Sequence, residues 1–311
     1  MISDMKNRCE ILPLPNHQYQ FLIDGVERTR WHFDAAYPRP FFFPIIGASG
    51  ESLTRMGHPG APNHDHHRSV WFAHHKVFGH NFWGDGTETK IRQSQWIAIE
   101  EGDDSARLAV ELDWLDGHDP TPLLKQTMIA EIKPKANGNW TLELQSTFTP
   151  TSEELELQQT NFGFLAVRVS KQIAGYFGGG KLTNSEGAET EKNIFGKAAR
   201  WMDYSGTQFS HAHDRELDEG ISYIDHPSNF GQPTRWHVRE DGWMGASPCM
   251  NSDLMLKKAS PTTLRYLLLI HKDSVNPDDC DSLYKNFSMT EPMRVERSTK
   301  SHTHASIVRK K

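Results

Sequence analysis

Hydrophobic and polar residues alternate with period two along most of the chain. In residues 107–114, Leu108, Val110, Leu112 and Trp114 fall on one side, and Arg107, Ala109, Glu111 and Asp113 on the other. In residues 140–148, Trp140, Leu142, Leu144 and Phe148 oppose Thr141, Glu143, Gln145 and Thr147. Successive side chains leave a strand on opposite faces, so each run predicts a half-buried strand. Weaker forms of the pattern predict strands over 19–24, 96–100, 125–133, 155–159, 162–169, 220–225 and 264–271. Asn137-Gly138 lies between two such runs and predicts a hairpin, because both residues tolerate the positive φ of a tight turn. Other turn signals are Asp116-Gly117, the triple glycine 178–180, Ser205-Gly206, Asp241-Gly242 and Asn276-Pro277. No stretch carries a helical period of convincing length; short helical turns are expected near 254–258 and 278–286. There is no internal repeat and no low-complexity linker. The expectation is an all-β fold, one large antiparallel β-sandwich forming a single domain over residues 1–311. Its two longest irregular stretches, 38–83 and 175–200, are where functional loops are expected.

Composition narrows the function classes. With 36% hydrophobic and 10% aromatic residues, the 311-residue chain can bury a sizeable core. A net charge of −6 argues against a general nucleic-acid binder; the one basic run, Arg309-Lys310-Lys311, is terminal. No run of about 18 apolar residues predicts a membrane span. The first sixteen residues lack the apolar segment of a signal peptide. Cys9, Cys249 and Cys280 are odd in number and widely spaced, so neither a disulfide framework nor a cysteine metal site is expected, and the default is a reduced, cytoplasmic protein. The oligomeric state is left open.

Candidate chemistry concentrates in residues 63–83, NHDHHRSVWFAHHKVFGHNFW. Seven of the seventeen histidines lie nearby: His58, His64, His66, His67, His74, His75 and His80. Imidazole titrates near neutral pH, binds metals and moves protons. Arg68 adds a fixed cation, and Trp71 and Trp83 add flat apolar faces. Any single histidine can equally be a solvated loop residue or a hydrogen-bonded core group. His64 and His66 would share one side of an extended segment and could chelate a divalent metal, with a third ligand from His74, Glu186 or His237. That pattern lacks the carboxylate spacing of a known triad, so no metal is favoured. Proton transfer or sugar binding by His66, His67 and Arg68 is preferred; His75 and His80 stand outside this core.

Three further constellations stand beside it. In 178–187, GGGKLTNSEG, the glycines let the backbone pass close to a ligand or a packed aromatic, and Glu186 is a candidate base or a solvated turn carboxylate. In 196–206, Arg200 faces inward if the segment is a strand, and then needs an anionic ligand or a structural partner. In 224–242, Asp225 and His226 end a strand, Asn229 follows, and Trp236, His237 and Arg239 offer stacking, proton transfer and charge. Aromatic faces with interleaved donors suit a carbohydrate; the alternative is a core Trp236 and a capped His237.

Together with residues 38–46 (PRPFFFPII), 164–168 (FLAVR) and 266–272 (YLLLIHK), these motifs resemble, in order over residues 38–290, the bacterial PmoA family. These are soluble proteins often labelled methane oxygenase. That label does not fit a chain without a spanning segment, because a particulate methane oxygenase subunit is a membrane protein. The resemblance implies an all-β sandwich similar to the galactose-mutarotase-like supersandwich, and a place in bacterial sugar metabolism. The family's first motif reads like DHPHHRGLW; here Asn63, Asp65 and Ser69 replace its acid, proline and glycine, while His64, His66, His67, Arg68 and Trp71 match. Two expectations follow. One is an enzyme of mutarotase or epimerase type, with His67 or His237 as acid, Glu186 or Asp225 as base, and Arg68 and Arg239 holding the sugar; a metal-dependent lyase or hydrolase is its variant. The other is a carbohydrate-binding or sensing module without an acid–base pair.

Overall fold

The alternating runs become the long strands of one sheet. The structure, a computed structural model, describes residues 7–57 and 64–309. In chain order its strands are β1 (Cys9–Leu14), β2 (Gln18–Ile23), β3 (Val26–His32), β4 (Phe41–Ile45), β5 (Val70–His74), β6 (Lys90–Glu100), β7 (Ala106–Leu115), β8 (Leu124–Pro134), β9 (Trp140–Pro150) and β10 (Glu154–Leu157). They continue with β11 (Gly163–Arg168), β12 (Lys181–Asn184), β13 (Trp201–Ser210), β14 (Arg215–Asp225), β15 (Arg235–Arg239), β16 (Trp243–Ser247), β17 (Leu254–Lys257), β18 (Thr262–Lys272), β19 (Met293–Arg297) and β20 (Ala305–Arg309). Three α-helices join them: α1 (Gly175–Gly178), α2 (Glu191–Ile194) and α3 (Pro277–Ser288).

Two eight-stranded antiparallel sheets carry the fold. The first has the order β1-β2-β3-β4-β5-β11-β16-β15, the second β12-β13-β14-β18-β9-β8-β7-β6; β10-β17 and β19-β20 are two-stranded ladders. Leu108, Val110, Leu112 and Trp114 of β7, with Leu142, Leu144 and Phe148 of β9, face Phe21, Phe42, Phe72 and Val167 of the first sheet in one continuous core. This all-β sandwich is the architecture that period-two alternation implies. The predicted hairpin joins β8 to β9, with Asn137 at φ 59° and Gly138 at φ 79°.

The outer face of the second sheet is also covered. Helix α3 starts at Asn276, whose side chain accepts from the Asp278 amide at 3.0 Å; Pro277 and the acidic Asp278 and Asp279 complete a well-formed N-terminus. It packs Cys280 and Phe287 on Trp201, Ile224 and Leu267. Beside it β20 brings Arg309 to Glu143 at 2.7 Å, while Arg107 meets Glu131 at 2.5 Å and Lys133 meets it at 2.7 Å. Burying those carboxylates is tolerable only because each is matched by cations.

Three expectations are corrected. Residues 254–257 form strand β17, paired with β10, rather than a helical turn; Leu254 and Leu256 are buried and Met255 is exposed, an alternation too short to read. Stretch 38–83 is not irregular throughout, since it holds β4 and β5. Stretch 175–200 likewise holds α1, β12 and α2. Strand β5 (VWFAH) was hidden because all its residues are buried: Val70 and Phe72 join the inter-sheet core, while Trp71 and Ala73 join a separate cluster on the sheet's outer face. A strand buried on both faces loses its alternation. Among the described residues no helix is long and apolar enough to cross a membrane.

Candidate functional site

Register builds the site on the outer face of the first sheet. One cross-strand row reads Trp71, Ala166, Gly245 and His237; the next holds Arg168, Trp243 and Arg239. The small Ala166 and Gly245 keep the middle of the first row low. A Cβ at Gly245 would lie 3.5 Å from the Trp243 ring, so the indole lies against the strand. His67, from the turn before β5, stacks on Trp243 at 4.6 Å and on Trp71 at 5.6 Å, both at 28°. Its amide donates to the His64 carbonyl at 3.0 Å, and its carbonyl accepts from Gly57 at 2.7 Å, which fixes the turn. His66 meets the His67 ring edge-on at 4.2 Å. Trp83 and Phe162 close the other side, with Phe162 4.9 Å from His237 and 5.6 Å from Trp83.

These groups surround a cavity of about 390 Å³ lined also by His64, His75, Asn81, Arg168, Arg239 and Asp241. That is the size of a small-ligand pocket. At one end the buried Arg168 makes a bidentate pair with Asp241, at 2.7 and 3.1 Å. Arg55 donates to the Asp241 carbonyl at 2.6 Å; burial, then the neighbouring Arg168, lowers its guanidinium to about 10. Burial also holds His67 far below its ordinary range, aided by His66 and Arg168, and lowers His237 to about 4. Both rings are therefore neutral at pH 7. His237 Nδ1 lies 3.1 Å from the Asn161 carbonyl, which can only accept, so Nδ1 carries the proton and Nε2 keeps its lone pair. The indole N–H groups of Trp71, Trp83 and Trp243 and His67 Nδ1 are buried without a hydrogen-bond partner. Each such group costs about 1–3 kcal/mol, so this cluster is an expensive way to fill a sheet face.

The candidates from the sequence separate into groups. His64, His66, His67, Trp83, His237 and Arg239 line the cavity, and Trp71 lies beneath His67. Arg68 does not line it: its guanidinium is held by Asp85 at 2.5 and 3.0 Å and lies over Tyr37. Glu186 is exposed on a turn beside Arg200, at 3.9 Å, and Arg200 pairs with Asp281 of α3 at 3.2 Å. Asp225 is fully buried, accepts from Asn229 Nδ2 at 2.7 Å, and is pushed up to about 7 by burial. His226 is held by Ser228, the Phe287 carbonyl and Arg265; burial lowers it to about 4. Trp236 lies in the core and donates to the Ala199 carbonyl at 3.0 Å. Thus Glu186, Arg200, Asp225, His226 and Asn229 lie away from the cavity, in the second sheet and its α3 side. The triple glycine lets the backbone pack on backbone: Cβ atoms at Gly178 and Gly180 would overlap the carbonyls of Gln172 and Ile173.

Arg168, Asp241, Trp243, Phe162 and Asn81 escaped the sequence reading, and His75 was set aside, yet all line the cavity. The signal for Arg168 was a cation closing the apolar run FLAV. Asp241 and Trp243 flanked the glycine of an ordinary turn signal. As for a metal, no group of three or more His, Cys, Asp or Glu side chains among the described residues is placed to hold one. His58 and Asn63 lie outside the described residues. His74, a suggested third ligand, points instead to the Gln158 carbonyl at 2.9 Å and stacks on Phe164.

Fold and site define an all-β sandwich with a histidine- and tryptophan-lined cavity on one sheet. The chain belongs to a family of unknown function, DUF6807, whose model it matches over residues 18–285. No curated protein matches it. Among solved structures it is similar to a GalM/aldose epimerase homologue from C. elegans, with 9% identity, covering 87% of this chain and 100% of that one at a TM-score of 0.34. It is also similar to a polysaccharide lyase, with 12% identity and a TM-score of 0.31, covering 95% of this chain and 36% of the lyase. At those values neither likeness bears on this chain's activity.

Proposed function

We propose that the cavity on the first sheet binds a sugar and that His237 takes the proton of its anomeric hydroxyl as the ring C–O bond opens and the ring oxygen takes a proton from water, in a mutarotase- or epimerase-like reaction. The carrying observation is the His237 tautomer: Nδ1–H donates to the Asn161 carbonyl, so Nε2 is left as a proton acceptor on a ring that lines the cavity beside Phe162, Trp83 and Trp243. The aromatic faces suit the C–H face of a pyranose, and Asn81, His66, Arg168 and Asp241 supply donors and acceptors for its hydroxyls. Glu186 and Asp225, the carboxylates first considered as base, are replaced in this reading by His237. His67, neutral and 4.6 Å from Trp243, is its partner across the tryptophan. The PmoA resemblance and its link to sugar metabolism agree with this reading.

The test follows anomer interconversion and C–H exchange by NMR in D2O over a panel of aldoses. Turnover is expected, with His237→Ala slower by about 10²–10⁴-fold. Undiminished turnover in His237→Ala overturns the assignment. A second reading, a binding module without chemistry, is favoured by one observation: the carboxylate among the described lining residues, Asp241, is committed to Arg168 and supplies no free acid. Sugar binding without any conversion over hours selects it. Neither reading draws on a metal. A stoichiometric metal found by elemental analysis of untagged protein would instead favour a lyase or hydrolase using His64 and His66.

A further inference from the structure

The cavity does not end at Asp241. A second hollow of about 320 Å³ shares Arg239 and Asp241 with it, and a third of about 440 Å³ shares Tyr176 and Glu240 with the second. The three adjoin in succession. They run from the outer face of the first sheet, past its edge strand β15, to Lys181 and Leu182 on β12, the edge strand of the second sheet. Tyr204 ties this edge together, its hydroxyl donating to the carbonyls of Arg239 and Glu240 at 3.1 and 2.9 Å.

Tyr176 lines the second and third of these with 76% of its surface exposed. It is held there by its surroundings. Its amide donates to the Glu240 carbonyl at 2.8 Å, and its neighbour Phe177 anchors α1 beneath Arg55 and Lys171. The glycines at 178 and 180 press the following chain against the carbonyls of Gln172 and Ile173, so α1 is clamped from both sides. An exposed ring on a clamped backbone, beside a polar trough, offers a flat face to a sugar.

We infer, resting on the sugar-binding reading above, that the ligand is a neutral oligosaccharide lying along all three hollows, one unit over Trp83 and Trp243 and a later unit on Tyr176. Each hollow alone falls within the roughly 300–1,000 Å³ usual for one small ligand, so the three together exceed what a monosaccharide needs. Charge selects the neutral class. Beyond Asp241 the trough carries Glu189, Glu191 and Glu240 against Lys181 and Arg239. Lys181 pairs with Glu189 at 2.6 Å and Arg239 with Glu191 at 2.8 Å, so among the lining charges Glu240 is in excess; Arg55 and Lys171 sit over the Phe177 ring and do not themselves line these two hollows. A uronate chain would meet repulsion there.

The test is calorimetric titration of the full chain with glucose, xylose, mannose and galactose, their neutral oligomers of two to six units, and galacturonate oligomers. Affinity should rise roughly tenfold from the monosaccharide to a trimer or tetramer of one neutral series and then level off. Tyr176→Ala should abolish that gain and leave monosaccharide affinity unchanged, a safe comparison because the ring is exposed. Monosaccharide binding with no gain on lengthening, a gain that survives Tyr176→Ala, or tighter binding of galacturonate oligomers overturns this inference and leaves the sugar pocket standing. No binding of any sugar, of any length, overturns both.

Discussion

The Arg168–Asp241 pair gives an asymmetric test of how the site is held. Arg168 is almost wholly buried, whereas Asp241 is 30% exposed. Replacing Asp241 with Asn leaves a buried guanidinium without its counter-charge. Breaking a buried pair from one side costs about 3–5 kcal/mol, and the partial exposure of the carboxylate puts this one near 3. Replacing Arg168 with Met fills most of the space of the arginine stem and leaves a carboxylate that water already reaches, so the cost is about 1 kcal/mol. At roughly 2 cal/mol/K per residue, a chain of this length has an unfolding entropy near 0.65 kcal/mol/K. The single variants should therefore lose about 5 °C and about 1.5 °C of Tm, and the double variant no more than Arg168→Met alone. Urea titrations provide the same ordering from midpoints at constant slope. Additive losses, or an Arg168→Met variant less stable than Asp241→Asn, would show that the pair is not held by uncompensated burial of the arginine.

Three other outcomes follow from groups outside the cavity. Burial opposes the charged form of His271, but Asp203, 2.9 Å from Nε2, outweighs it and raises the ring above its ordinary value. The stability it contributes is present below about pH 6.5 and is lost as pH rises through the raised folded value, so urea midpoints should fall across that window in the parent and stay flatter in His271→Gln. Asp225, pushed up to about 7 by burial, penalises folding as pH rises from the ordinary carboxylate range to 7. Asp225→Asn, which keeps the bond from Asn229, should equal or exceed the parent in stability at pH 8 and lose that advantage below pH 4; a loss of sugar turnover in this variant would return Asp225 to the machinery. Ser69 sits at φ 55° and its hydroxyl donates to Thr54 at 2.7 Å. Ser69→Gly relieves about 1 kcal/mol of strain while losing that bond, whereas Ser69→Ala only loses it, so glycine should be the more stable by about 1 kcal/mol in urea; the reverse order would refute the strain.

Much of the second sheet was legible because one face of β7 and β9 looks onto the core and the other onto polar groups. Of the strands that carry the site, β11 was foreshadowed by the weak run over 162–169, and β5, β15 and β16 were not. In β5 and β16 both faces are buried, so Ala73 and Trp243 had no alternation to place them on the site face, and Trp71 was visible only by its residue type. His67 and His237 were visible by type, and their shared contact with Trp243 depends on pairings that bring residues 70–74, 163–168 and 235–247 together. Asp225, His226 and Asn229 looked like a site for the same reason that they serve structure: a buried polar cluster at a strand end has to be hydrogen-bonded whether or not a ligand comes. Glu186 had no signal to separate it from any turn carboxylate, and the structure leaves it on one. Ser69, by contrast, was flagged as a departure from a glycine, and its positive φ explains why glycine suits that position.

The order of strands in the first sheet has a consequence for how the molecule comes into being. Its first five strands end at residue 74, but β11 follows only after four strands of the opposite sheet, and β15 and β16 only after seven. A nascent chain extended as far as β9 already contains His67, Trp83 and the Trp71 they touch, yet not the Trp243 and His237 that complete the surface. The face that carries the cavity is thus a seam between early and late segments, closed at high loop-closure cost and slowly. Ligand binding would report on completed folding of the whole chain, and the histidine turn would spend its early life without the later strands that bury it.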